Sequence, residues 1–485
     1  MNKSIRPTII ILVLIASGVF AYWLLPISGQ IAYIPDSAAQ TNTWPQVNII
    51  SQTEGTYELL VHDVTPWTFV RLEQLGTESV LVEHGSQNEQ GVWQWTWQVQ
   101  GKPTAKTINL YHSCDSGCQL WTTTKTAVVT PTANPSLTPT KLGLVFANPA
   151  RDWHNRQGWT VEISYANLAE ESFWGIDDLA QRVQQAEQNG LNVLVRIEYD
   201  QGQSIPPTND FIALDTYLRY AQRLARDVRL ANVYGFIIGS NFNTHGANAQ
   251  AEGAPVTPEW YAQVFNGYST PPENHNNVLA TIRQENPQVR VLVGPVNPWN
   301  SDQTGNEPYE IDVPWLNYMN SVTTYIDQAA HEKMTQGISN AAPDGFAIQA
   351  FGRVDDTSLL PEQRAEEPFL TLQRPEWGEA QAGFQIYQDW LAIINQYEQT
   401  NGKPVYINAS NTFDSETGRV PTENYPLGWL SNALDVVNQE PQIQALCWFM
   451  DGFAHDEQWE QFSLTNPHGL LVDAAQEFDT LLQGE

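Results

Sequence analysis

The chain has 485 residues, 41% of them hydrophobic and 18 of them tryptophan, enough apolar material for two or three packed domains and too much for a disordered chain. Lys and Arg number 23 against 54 Asp and Glu, a formal net charge of −31 that repels phosphate backbones and anionic headgroups. No nucleic-acid partner is expected.

At the N-terminus, Lys3 and Arg6 precede an uncharged stretch from Thr8 to Leu25, and the next basic residue is Arg71. That asymmetry follows the positive-inside rule and predicts that the rest of the chain lies outside the cytoplasm. Eighteen residues at about 1.5 Å each give roughly 27 Å, the thickness of a bilayer core. Residues 1–27 are therefore expected to form a transmembrane signal anchor, a single pass through the cell membrane. The alternative is a cleaved signal peptide and a secreted chain, with the cleavage chemistry at Ser28–Ala32.

Residues 46–128 carry short alternating or β-branched runs: 57–62, 68–72, 79–83, 92–99 and 107–112. Turn residues separate them at hairpin-like intervals, the pattern of a small, immunoglobulin-like β-sandwich. Trp93, Trp95 and Trp97 alternate with Gln94, Thr96 and Gln98 and so share one face of their strand. That stripe reads either as one side of a core or as a sugar-stacking platform. Cys114 and Cys118 flank the turn-rich tripeptide Asp115-Ser116-Gly117 and are expected to pair as a disulfide in an oxidising exterior. Cys447 lies in an apolar run and reads as a buried core residue. Residues 129–141 hold three prolines without apolar periodicity, the composition of a semi-rigid Thr/Pro linker.

From residue 142 to 485, apolar strands alternate with helical patterns, as βαβ units do. The predicted strands are 142–147, 160–165, 191–198, 233–239, 289–296, 345–351, 405–410 and 443–450. Helical patterns fall at 174–189, 212–230 and 381–398. Eight parallel strands predict an α/β fold of the (β/α)8 TIM-barrel type, with surplus length after strands four to seven, on the face where such barrels build their sites. The longest excursion, 353–378, predicts a lid or rim.

Several strand ends carry a resemblance. Phe236-Ile237-Ile238-Gly239-Ser240-Asn241-Phe242-Asn243 resembles the end of the fourth strand of a clan A glycoside hydrolase, the superfamily of cellulases and xylosidases, which has Gly-Asn-Glu-Pro-Asn there. Lys403 to Asn411 resembles the seventh strand, Asp344 to Gly352 the sixth and Ala445 to Phe449 the eighth. The resemblance implies that Asn241 stands where the family has its acid/base glutamate and Ala409 where it has its nucleophile. A retaining glycosidase needs two carboxyl groups about 5 Å apart, and an amide with a methyl supplies neither. It also implies that Trp448 forms the floor of the sugar site, and that Gln349 and Phe351 replace a histidine and a tyrosine.

The expected function is accordingly that of a glycosidase-like pseudoenzyme that does not hydrolyse. It would recognise a glycan or another surface polymer through the amides Asn241, Asn243, Gln349 and Asn408 and the aromatic faces of Trp299 and Trp448. Two alternatives stay open. One is hydrolysis by relocated carboxylates, Glu198, Asp200 and Asp451. The other is a structural or assembly role, with the amides merely satisfying strand-end backbone. No cofactor is implied, and the acids near His154 and His245 lack metal-ligand spacing.

Overall fold

A computed structural model describes the strands between residues 46 and 126, and the chain from 137 to 484 except residues 272–275, 339, 353–369, 371–373, 416 and 453–458. The chain divides between Ser136 and Leu137 into two compact units.

In the upstream unit, the described strands are β1 (Gln46–Thr53), β2 (Thr56–Asp63), β3 (Val70–Gln74), β4 (Val80–Val82), β5 (Ser86–Gln87), β6 (Trp93–Gln100), β7 (Lys106–His112) and β8 (Gln119–Thr126). They form two antiparallel four-stranded sheets, ordered β1-β2-β6-β5 and β4-β3-β7-β8. The five predicted runs are all strands, and β1, β5 and β8 are additional. A register shift between Ile49 and Ser51 resets the alternation of β1, which hides it as a period-two pattern. How the two sheets face one another, the anchor at 1–27, and Cys114 and Cys118 lie outside the described residues. Among the described residues no helix is long and apolar enough to cross a membrane.

The second unit is a closed barrel of eight parallel strands: β9 (Thr138–Val145), β10 (Arg156–Tyr165), β11 (Asn192–Glu198), β12 (Gly235–Ile238), β13 (Arg290–Val293), β14 (Gly345–Gln349), β15 (Val405–Ser410) and β16 (Ile443–Trp448). Each predicted strand is present. β9 starts four residues early, inside the predicted linker, because Thr138 and Pro139 pair with Arg156 and Gln157. Proline is tolerated there, at the start of a strand.

The outer helices are α1 (Ile176–Gln188), α2 (Phe211–Arg226), α3 (Pro258–Asn266), α4 (Val278–Glu285), α5 (Pro314–Thr335), α6 (Ile386–Ile394), α7 (Pro421–Asn424), α8 (Trp429–Gln439) and α9 (Leu471–Gln483). Capping follows the sequence: Asp210 accepts from Ile212 and Ala213 at the start of α2, and Thr257 accepts from Trp260 at the start of α3. Helix α8 begins after Gly428 with no side-chain cap of its own. Glu477 of α9 accepts from the Gly428 and Ser431 N–H groups instead.

Alternation along each strand divides the core in two. Val405, Ile407, Leu446 and Trp448 pack outward with the helices, whereas Leu194, Ile237, Leu292, Ala347, Tyr406, Ala445 and Cys447 fill the barrel. At the N-terminal end, Trp159 packs edge-on against Tyr234 and Tyr406, with ring centroids 4.7 and 5.4 Å away, and the Arg290 guanidinium sits 4.0 Å from the centroid of Tyr234. Gly143 permits this packing: a Cβ there would lie 2.6 Å from Cys447 Sγ and 2.7 Å from Trp159 Cβ.

Asp389 on α6 is buried, and its Oδ2 accepts from the Gln381 N–H at 2.8 Å. Burial pushes its pKa from 3.8 up to about 6, against the opposing effect of that hydrogen bond. Between those values the folded chain binds more protons than the unfolded one, so stability falls as pH rises through the window and stays reduced above it. Asp389→Asn keeps the acceptor and removes the titration. The variant should be more stable than the parent by up to about 3 kcal/mol near pH 7, with the gain shrinking towards pH 4, as measured by urea unfolding at both.

Candidate functional site

The C-terminal ends of the strands carry a polar layer above the apolar filling. On β11, Leu194, Arg196 and Glu198 share the inward face, which makes the last two a buried ion pair: Arg196 Nε lies 2.8 Å from Glu198 Oε1, out of line for a hydrogen bond. Ser240 Oγ donates to the same Oε1 at 2.6 Å and ties β11 to the end of β12. Burial raises the Glu198 pKa, while Arg196 and Ser240 pull it down. Tyr165, in register with Glu198, is held as a neutral phenol by burial and by the charge of that carboxylate.

After β12 the backbone turns sharply. Gly239 and Asn241 both have positive φ, +67° and +53°, a region that glycine occupies freely and asparagine tolerates. The Asn241 N–H donates to Pro295 O at 2.8 Å, and its carbonyl accepts from Thr244. Asn243 exchanges two hydrogen bonds with the backbone of Asn297, at 3.0 and 2.8 Å, and so pins this turn to the loop after β13. Asn243 is satisfied by the backbone.

On β15, Ile407 pairs with Ile348 and Ala409 with Gln349, so Asn408 is an extra residue with no counterpart on β14. Bulges of this kind re-aim side chains and recur beside active sites. Asn408 is fully buried, and neither its Oδ1 nor its Nδ2 has a hydrogen-bond partner; the Oε1 of neighbouring Gln349 has none either. A buried polar atom left this way costs about 1–3 kcal/mol. Asn241, Gln349, Asn408 and Ala409 thus all lie at the C-terminal ends of the strands, with Ala409 directly opposite Gln349.

The other expected site residues have partners of their own. Asp451 is fully buried and saturated: Arg151 donates through Nε at 3.1 Å and Nη2 at 2.6 Å, with Thr465 and the Asn148 N–H at 2.9 Å. It is a clamp between the first and last barrel segments. Asp200 is partly exposed and accepts from Asn167, Gln201 and Gln250. Trp299, partly buried, donates through Nε1 to Gln381 O at 2.9 Å. Among the described residues no group of three His, Cys, Asp or Glu is placed to hold a metal.

Trp448 requires a correction. It alternates with the inward-facing Cys447, so its indole points away from the barrel interior and packs edge-on against Tyr425 and Trp429 at 5.7 and 6.3 Å. Its Nε1 donates to Phe462 O at 3.0 Å. The aromatic on the inner side is Phe449, partly exposed beside Trp459 and Phe462. Counting parity from Ala445 and Cys447 would have found it. Arg196 and Ser240 were also missed: the sequence signal for Arg196 was a charge two residues from Glu198 within a strand apolar on both faces.

No family model matches the chain, and no curated protein matches it. Among solved structures, it is similar to fungal β-1,4-galactanases (11% identity, 67% of this chain and 88% of that one, TM-score 0.39) and to a β-glucosidase from Exiguobacterium marinum (13%, 69% and 84%, TM-score 0.36). It is also similar to an endocellulase from the archaeon Pyrococcus horikoshii (9%, 78% and 96%, TM-score 0.37). These neighbours are clan A glycoside hydrolases. The strand pairing described above establishes the barrel without them.

Trp448→Ala should behave as a core truncation, losing about 3–5 kcal/mol in chemical denaturation while any ligand bound by the surviving folded protein keeps its affinity. A loss of affinity without loss of stability would return Trp448 to the site.

Proposed function

We propose that the barrel is a glycosidase-like module that binds an uncharged glycan, or another hydroxyl-rich surface polymer, at its C-terminal mouth without hydrolysing it. The observation that carries this reading is the buried amide of Asn408, which has no partner, beside the unpartnered Oε1 of buried Gln349, at adjacent strand ends on the face where barrels of this type build their sites. Neutral amides match hydroxyl groups, and Phe449 supplies an apolar face nearby. The two positions implied to be catalytic hold Asn241 and Ala409, while Glu198 is engaged by Arg196 and Ser240 and Asp451 by Arg151. Hydrolysis by relocated carboxylates needs a second free acid about 5–10 Å from Glu198.

Purified protein should show no turnover of aryl glycosides or polysaccharides, and should bind members of an array of neutral oligosaccharides. Asn408→Ala should weaken that binding roughly tenfold while leaving stability equal or higher, because it removes unpaired buried polar atoms. Turnover abolished by Glu198→Gln would establish the relocated-acid enzyme. Unchanged binding in Asn408→Ala, or no binding to the array, would favour an assembly role, the reading to which the backbone-satisfied Asn243 lends weight.

The same proposal places the chain outside the cytoplasm, anchored through residues 1–27, with an immunoglobulin-like sandwich preceding the barrel in the sequence. Lys3 and Arg6 followed by a long uncharged run support this orientation. Protease added to intact cells should digest the barrel. A protected barrel would refute the orientation, and release of a shortened soluble chain would identify a cleaved signal peptide instead.

A further inference from the structure

Away from the mouth, at the N-terminal end of the barrel, a pocket of about 470 Å³ opens between the C-terminal ends of α3 and α5 and the start of α4. Asn266, Asn277, Arg283, Lys333 and Asn340 line it. Lys333 exposes only 6% of its surface, and among the described residues no carboxylate pairs with it. Its ammonium donates to Asn266 O at the end of α3, an interaction that leaves two of its three protons for other acceptors. Burial lowers its pKa. By contrast, Asp344 and the carbonyls of Asn340 and Ala342 engage the Arg283 guanidinium.

Two further groups point to a ligand. Asn277, 1% exposed, caps α4 through Oδ1, which accepts from the Ala280 N–H at 2.9 Å, and its Nδ2 has no partner. Asn266, fully buried, donates through Nδ2 to Ile326 O and Ala341 O, and its Oδ1 has no partner. Two of these groups converge around Gly267, the residue after Asn266, which has a φ of +79°: a Cβ there would lie 2.5 Å from Lys333 Nζ, 2.9 Å from Thr270 Oγ1 and 3.0 Å from Asn277 Nδ2. A cationic donor, a neutral donor and a neutral acceptor, all buried and only partly satisfied, define complementary chemistry. The complement is an oxyanion that also carries a hydroxyl: the oxyanion for Lys333 and Asn277, the hydroxyl for Asn266 Oδ1.

We propose that this pocket is a second ligand site, separate from the mouth, for a small hydroxylated oxyanion. A sugar acid and monohydrogen phosphate share that chemistry. The net charge of −31 gives such a ligand no long-range attraction, so recognition rests on short-range contacts within the pocket and resists added salt.

The test is titration calorimetry on the full chain in detergent, with glucuronate, inorganic phosphate, acetate and glucose as separate probes. Saturable binding of glucuronate or phosphate, at least tenfold tighter than acetate and absent for glucose, is expected, and the stronger of the two identifies the source. Lys333→Met should lose at least tenfold in affinity. Asn277→Asp keeps the cap oxygen, places a carboxylate beside Lys333 and should abolish binding while the fold is retained, which covers the case in which Lys333→Met does not fold. Absence of binding by both anions, or binding unchanged in a folded variant, would overturn the proposal. Neither result bears on glycan binding at the mouth.

Discussion

A guanidinium and a carboxylate share the inside of the barrel, and the upper half of the structure is arranged around them. Removing either Arg196 or Glu198 would leave an uncompensated buried charge, a loss of about 3–5 kcal/mol in comparable settings. The pair therefore requires that β11 present both residues inward, that Ser240 reach back from the end of β12, and that Tyr165 stay neutral beside them. Below this layer the barrel is filled by aliphatic and aromatic side chains and closed by Trp159, Tyr234 and Tyr406. The barrel thus changes from apolar to polar along its axis, and its candidate site lies at the polar end.

The barrel was legible because parallel strands buried on both faces read as apolar runs, and the eight runs occur in order with helical patterns between them. Boundaries were less legible where backbone pairing overrides composition, as with Thr138 and Pro139 at the start of β9. Helix α6 is shorter than its apolar pattern, because Gln381 to Gln385 form the turn that Asp389 caps. In the upstream unit, β8 carries four threonines and one run of alternation too weak to mark it.

The candidate site was legible in part. Motif order located Asn241, Gln349, Asn408 and Ala409 at strand ends, which is where they lie. Sequence alone did not reveal the bulge at Asn408, since a one-residue insertion in a ladder is a property of the pairing. Nor did it reveal that Asp451 serves Arg151, a contact spanning 300 residues. Trp448 shows how alternation decides orientation: a single residue of parity separates the helix-facing layer from the mouth, and the more conspicuous tryptophan is on the wrong side of it.

The seam of the barrel joins its first strand to its last. Leu142, Gly143 and Leu144 pair with Leu446, Cys447 and Trp448; Asp451 then holds Arg151, and Arg151 also reaches Asp479 near the chain's end. Glu477, from the same helix, supplies the missing cap of α8. Closing a loop of this length carries a length-dependent entropy of about 5 kcal/mol that must be met before the seam contacts offset it. The barrel consequently cannot close until β16 has emerged during synthesis, and until then the unpaired edge of β9 remains open to other strands.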